Sequence, residues 1–392
     1  MAGRLDGSKS GHPATIRAGR FRCLKSVREK PMPANVYHTF DGSEYDYGES
    51  NFKKFFGTVT GSDWHGGNIR LGNYGNTNSK TIFADADGGT GRYIGHLELG
   101  WNSNVDLIST NISMITGWGG ALHDVTLGSG YYDYVSLHAA RNIVTTGDGY
   151  VGHISTGGSS EISIGAGGAG TVFTWAGDDR IEVTGAVHYI YTGAGDDTII
   201  TRSNWINKMR LGAGDDTVVV AALAHGSDIA IDGSGNPANG SDTLDFSRLT
   251  QAVKFDLGAG SLGVGADYQD IYYRSATLDA YVMASGVENL IGSKKSDFLI
   301  GSSKDNELTG GKGWDILKGG GGADTFVFGI KTGRDKVVDF EIGTDILKIE
   351  GHPGGFAALV FSGGDIILDG GSIHLKGIDA STDLSASDFL FV

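Results

Sequence analysis

From Gly292 the chain divides into nines: GSKKSDFLI, GSSKDNELT, GGKGWDILK and GGGGADTFV, closing on Phe328. Each unit begins with Gly. The sixth place holds Asp297, Asn306, Asp315 and Asp324, and the eighth holds Leu299, Leu308, Leu317 and Phe326. A flexible linker has no reason to repeat a large apolar residue every nine positions. Glycines at places one, two and four let the backbone take positive φ and bring its carbonyls together. The sixth-place carboxylate adds a hard anionic oxygen, and such oxygens with carbonyls are what Ca2+ prefers, at about 6–8 ligands. One loop supplies too few, so a second must stack on it. The last three residues of each unit then form a short strand with the eighth-place side chain inward.

Two nonapeptides make one turn of a flattened coil, so loops 18 residues apart share an ion. Gly292–Asp297 pairs with Gly310–Asp315, and Gly301–Asn306 with Gly319–Asp324. The third and fourth units fit the pattern G-G-x-G-x-D-x-U-x at every defined place, which resembles the RTX family of secreted calcium-binding repeat proteins. That resemblance implies a right-handed parallel β-roll, several Ca2+ ions and a type I secretion exporter as partner. The candidate metal residues here are Asp297, Asn306, Asp315 and Asp324, with Gly311, Gly313, Gly320 and Gly322.

An earlier section has a related rhythm. TWAGDDRIEV, YTGAGDDTII and LGAGDDTVVV carry Asp179, Asp197 and Asp216 at intervals of one full turn. The half-turns between them, around Gly185–Tyr191 and Arg202–Met209, hold no Asp. The reading is a row of calcium loops along one edge, with Gly195 and Gly214 as candidate loop glycines, and ordinary turns along the other. Trp175 takes the second-place Gly of the first loop, and Tyr131-Tyr132 replaces the aspartate pair in LGSGYYDYV. A worn loop at Asp85, Asp87 and Gly88-Gly89 is a further, weaker match.

The whole composition agrees with an all-β repetitive fold. Gly is 66 of 392 residues and Pro only 5, far too much Gly for a helical core. Net charge is −15. Residues 1–31 hold eight Lys/Arg against two Asp/Glu, so the remainder carries −21 and repels nucleic acid. The longest apolar run, Val218–Ala224, is too short to cross a membrane. The single Cys23 allows no internal disulfide, so extracellular stability must come from metal.

Six sections follow: a basic leader at 1–31, a degenerate β-rich section and aromatic cap at 32–126, the one-sided roll at 127–230, a β-rich spacer at 231–291, the nonapeptides at 292–328, and a β cap with export signal at 329–392. In the spacer, Thr243–Phe246 and Val253–Leu257 read as antiparallel or edge strands. The segment Thr332–Gly351 is similar to the serralysin-like terminal cap, with Asp335, Asp339 and Asp345 as further oxygens. The ending SASDFLFV resembles the uncleaved secretion signal of the family's exported members.

HExxH, G-x-S-x-G and P-loop motifs are missing, and no catalytic residue is assigned. His123, His138 and His153 recur every 15 residues, out of step with an 18-residue turn. The expectation is a secreted, non-enzymatic protein that folds on extracellular Ca2+. The alternatives are a polysaccharide lyase or epimerase built in residues 33–230, or a surface adhesin that binds extracellular polysaccharide or the cell surface.

Overall fold

A computed structural model describes five strands before residue 100, Lys53–Phe55, Val59–Thr60, His65–Leu71, Lys80–Ala84 and Tyr93–Leu99. It then describes residues 103–107 and 111–392, apart from 225–226, 234–239, 260 and 263–280. The basic leader, nearly all of the aromatic group at 37–64, the Gly88-Gly89 loop, Pro237 and Tyr268 to Tyr273 lie outside the described residues.

Successive strands alternate between two sheets, one of 15 strands and one of 19, so the chain winds as a parallel β-solenoid. The cause is visible in the strand patterns. Leu122–Leu127 and Arg141–Thr146 alternate outward and buried residues, with Val125, Leu127 and Val144 among the buried ones, and the next copy stacks in register. Val125 pairs with Val144, Val144 with Ile162, and Ile162 with Ile181. Val218, Leu244, Leu290, Leu308, Phe326 and Leu347 continue the same column through the nonapeptides. Every member of that column is buried, and each such side chain contributes about 1.5–3 kcal/mol on leaving water. The eighth-place residues Leu299, Leu308, Leu317 and Phe326 all point inward, as the period of nine requires.

The spacer departs from expectation. Thr243–Asp245 is an ordinary parallel rung, between Thr217–Val220 and Asn289–Ile291. Lys254–Asp256 pairs parallel with Phe298–Ile300 and antiparallel only with the two-residue strand Ser261–Leu262. Tyr281–Ser285 then stacks on Asp228–Asp232. The coil therefore runs through this section, where the inward Leu244 and Phe255 keep the core continuous.

The end of the chain closes the solenoid with a mixed sheet. Val360–Ser362, Asp365–Leu368 and Gly371–Leu375 form antiparallel pairs, and the last of these stacks parallel on Arg334–Val337. Phe389–Phe391, in the segment read from the sequence as an export signal, is the final strand of the 15-stranded sheet. Helix among the described residues is confined to two 3-10 turns, Phe356–Ala358 and Ala386–Asp388. None is long and apolar enough to cross a membrane.

Candidate metal centre

One column on the solenoid is polar although it faces inward: it lies at the second residue of the strands Leu122–Leu127, Arg141–Thr146 and Ser159–Ile164, and just before the later strands of the 15-stranded sheet. Register places His123, Asn142, Ser160, Asp179, Asp197 and Asp216 in this column. Asp242, Glu288, Asn306, Asp324 and Asp345 continue it. All are buried except Glu288, which is partly so. The edge of GDD loops and one edge of the nonapeptide block are therefore one row.

Each carboxylate in the row reaches back to the turn before it. Asp179 Oδ1 accepts from the Ser160 amide at 2.6 Å, Asp197 from Asp179 at 2.8 Å, and Asp216 from Asp197 at 2.8 Å. Asp242 accepts from Asp216 at 3.0 Å, and Glu288 Oε2 from Asp242 at 3.2 Å. Beyond that, Asp324 accepts from Asn306 at 2.9 Å and Asp345 from Asp324 at 3.0 Å. Asn306 interrupts the charge and is matched to it: its Nδ2 donates to the Glu288 carbonyl at 2.7 Å.

The opposite edge carries a shorter ladder. Asp297 accepts from Val253 at 2.6 Å, Asp315 from Asp297 at 2.8 Å, and Asp335 from Asp315 at 3.0 Å. The first aspartate of each GDD pair makes a third ladder, exposed and reversed in sense. Asp178 accepts from Asp196 at 3.1 Å, Asp196 from Asp215 at 2.9 Å, and Asp215 from Ser241 at 2.9 Å.

The loops come together in the pairs read from the sequence, Asp297 with Asp315 and Asn306 with Asp324. Asp242 and Glu288 were not foreseen, because the insertions stretch their spacing to 26 and 46 residues. Asp335 and Asp345 join the ladders, and Asp339 instead accepts from the Gly319 and Gly320 amides. Trp175 points outward and its indole donates to Ser155 Oγ, so the substitution leaves Asp179 in line. Tyr132 is buried in the core. His123 lies within the polar column, close enough to His138 on the other sheet to feel its charge, but His123, His138 and His153 do not form a three-residue cluster.

These carboxylates are half satisfied. Oδ2 of Asp179, Asp197, Asp216 and Asp315 is buried with no hydrogen-bond partner. Burial pushes Asp197 and Asp315 up to about 8, Asp242 to about 7, and Asp179, Asp297 and Asp324 to about 6, with neighbouring carboxylates adding to the effect for all but Asp297. Removing charge from water without a partner is what raises them. Among the described residues no three His, Cys, Asp or Glu side chains converge on one point. A cation here would be held by one carboxylate per rung together with carbonyls of the glycine turns. That donor set of hard oxygens fits Ca2+ and offers nothing to a soft metal.

The glycines make those carbonyls available. Gly195, Gly214, Gly311, Gly313, Gly320 and Gly322 all have positive φ. A Cβ on Gly320 would lie 1.9 Å from the Ser302 carbonyl oxygen, whereas one on Gly321 would meet nothing closer than 4.0 Å. Gly320→Ala should therefore destabilise the calcium-loaded protein by about 1–3 kcal/mol, with Gly321→Ala within about 0.5 kcal/mol of the parent. Calcium-dependent melting curves of both test this, and equal melting points would refute it.

The raised carboxylates also set a pH dependence for the metal-free chain. Their folded-state values lie above the unfolded value of about 3.9, so the fold binds more protons than the unfolded chain. Its stability is fully present below that value and is lost as pH rises through about 6 to about 8. In chelator, the folded fraction should be greater at pH 5 than at pH 8. Near-ultraviolet circular dichroism reads this, and a fraction that rises with pH would contradict it.

Comparison with known proteins agrees with the geometry. Residues 189–203 and 291–326 match the RTX calcium-binding nonapeptide repeat, in four copies. No curated protein matches the chain. Among solved structures, the extracellular lipase LipA from Serratia marcescens is similar at 16% identity and a TM-score of 0.22, over 62% of this chain. The chain spans 40% of that lipase's length. The chain carries RTX calcium-binding nonapeptide repeats on a parallel β-solenoid.

Proposed function

We propose that this is a secreted calcium-binding protein, exported unfolded through a type I exporter and folded outside the cell by calcium. The observation that carries the reading is the set of unpartnered buried oxygens on Asp179, Asp197, Asp216 and Asp315. When bound, calcium supplies the positive charge that these oxygens lack. Without it, Asp197 sits between Asp179 and Asp216, both of which repel its ionised form. The ordering of glycine turns adds an entropic cost. For the carboxylate-bearing turns from Asp179 onward the unfolded form is then the stable one at cytosolic calcium, and binding energy becomes folding energy.

The terminal segment supports the same order of events. Phe389–Phe391 is paired in the sheet, and Asp388 is buried, accepting from the Gly343 and Ser385 amides. An exporter reading this segment as a signal would meet it before folding. The test is far-ultraviolet circular dichroism: weak β signal in EGTA, restored by millimolar CaCl2. A spectrum unchanged by calcium would sink the proposal.

A further inference from the structure

The outer face of the 19-stranded sheet carries a ladder of rings with one ring missing. Register aligns Tyr134 with His153, His153 with Thr171, and Thr171 with Tyr189. Tyr134 and His153 stack at 4.6 Å with planes 7° apart. Across Thr171, His153 and Tyr189 are two strand spacings apart, about 9–10 Å. The floor of this slot is Thr171 and Gly170. A Cβ on Gly170 would lie 2.8 Å from Tyr150 Oη, so that hydroxyl closes one side.

We infer that this slot is a saccharide subsite, taking one pyranose ring of a neutral glycan between His153 and Tyr189. A flat aromatic ligand touching both rings would need only about 7–8 Å, whereas a puckered sugar ring is thicker and presents C–H groups to both faces. Polar groups surround it: the hydroxyls of Thr171, Tyr150 and Tyr189 and the His153 ring make no hydrogen bond with the described residues, leaving them for sugar hydroxyls. Aromatic walls with a few such groups are the usual lining of a small-molecule site. Charge selects the class of glycan. Lys208 and Arg210, which continue this face, are both held by Asp232, at 2.8 and 3.6 Å. Burial lowers the His153 pKa, so its ring is uncharged at neutral pH. On a chain of net charge −15 a polyanion is disfavoured.

The inference is independent of the calcium reading, and the test keeps them apart. Full-length protein in CaCl2 is titrated calorimetrically with soluble β-glucan and chitin oligosaccharides, and with oligogalacturonate as the acidic comparison. Binding of a neutral oligosaccharide is expected, weakened about tenfold by Tyr189→Ala. Thr171→Phe fills the gap, so it should abolish binding while keeping or raising the melting temperature, which shows that the fold is intact. The inference is overturned by no heat with any neutral oligosaccharide, by tighter binding of oligogalacturonate, or by Thr171→Phe binding like the parent. Sedimentation showing a dimer that Thr171→Phe dissociates would assign the face to self-association and overturn it too.

Discussion

In chelator, amide hydrogen exchange should divide the chain at Asp179. Strands 111–174 are expected to remain protected, while 175–345 exchange on the order of a hundredfold faster. The difference comes from the polar column. Before Asp179 its members carry no carboxylate: burial holds His123 neutral, with both ring nitrogens unpartnered, and the other two are internally bonded. Asn142 accepts from the Ala139 amide at 3.1 Å and donates to the Ala139 and Gly157 carbonyls, and Ser160 donates to Thr156 Oγ1 at 2.9 Å. After it, rung upon rung places a carboxylate in the same buried position. The apolar column is equally continuous on both sides, so burial cannot produce the contrast. Uniform exchange along the solenoid in EGTA would refute this account.

The second large effect is a reversal between two substitutions at Asp197. Asp197→Ala removes the acceptor of the buried Asp179 amide, and should cost about 1–3 kcal/mol with or without calcium. Asp197→Asn keeps an acceptor oxygen there and removes the charge that burial, Asp179 and Asp216 disfavour. In EGTA it should therefore melt above the parent, and in calcium below it. The chain already uses this chemistry at Asn306, which sits in the same column and keeps its hydrogen bonds. Melting curves in both buffers decide the matter. An Asp197→Asn variant that behaves like Asp197→Ala in EGTA would show that the charge is not what the metal-free chain suffers from.

What could be read from the sequence was whatever recurs at constant spacing. The nonapeptides and GDD loops repeat residue types as well as positions, so their strands, inward residues and stacking partners were legible. Asp242 and Glu288 occupy the same column, but insertions removed the period that would have revealed them. His123, Asn142 and Ser160 keep the period and change the residue type, so nothing marked them as one row. The reading of the spacer strands as antiparallel or edge strands met only the pairing of Lys254–Asp256 with Ser261–Leu262, for a related reason. Short strands such as Thr243–Asp245 carry too few residues to show whether their partner precedes them by one turn or follows in a hairpin. The ring ladder is invisible because Tyr134, His153 and Tyr189 become neighbours only once turn length is known.

The bond that links Asp179 to Asp197 is the same bond that links Asp197 to Asp216. A rung therefore cannot tell how many others lie above or below it. Length in such a molecule is a free parameter, open to gain or loss of whole turns by duplication and deletion within the gene. What marks position along the row is its interruptions at Asn306 and Glu288, the neutral rungs before Asp179 and the antiparallel hairpin at the finish.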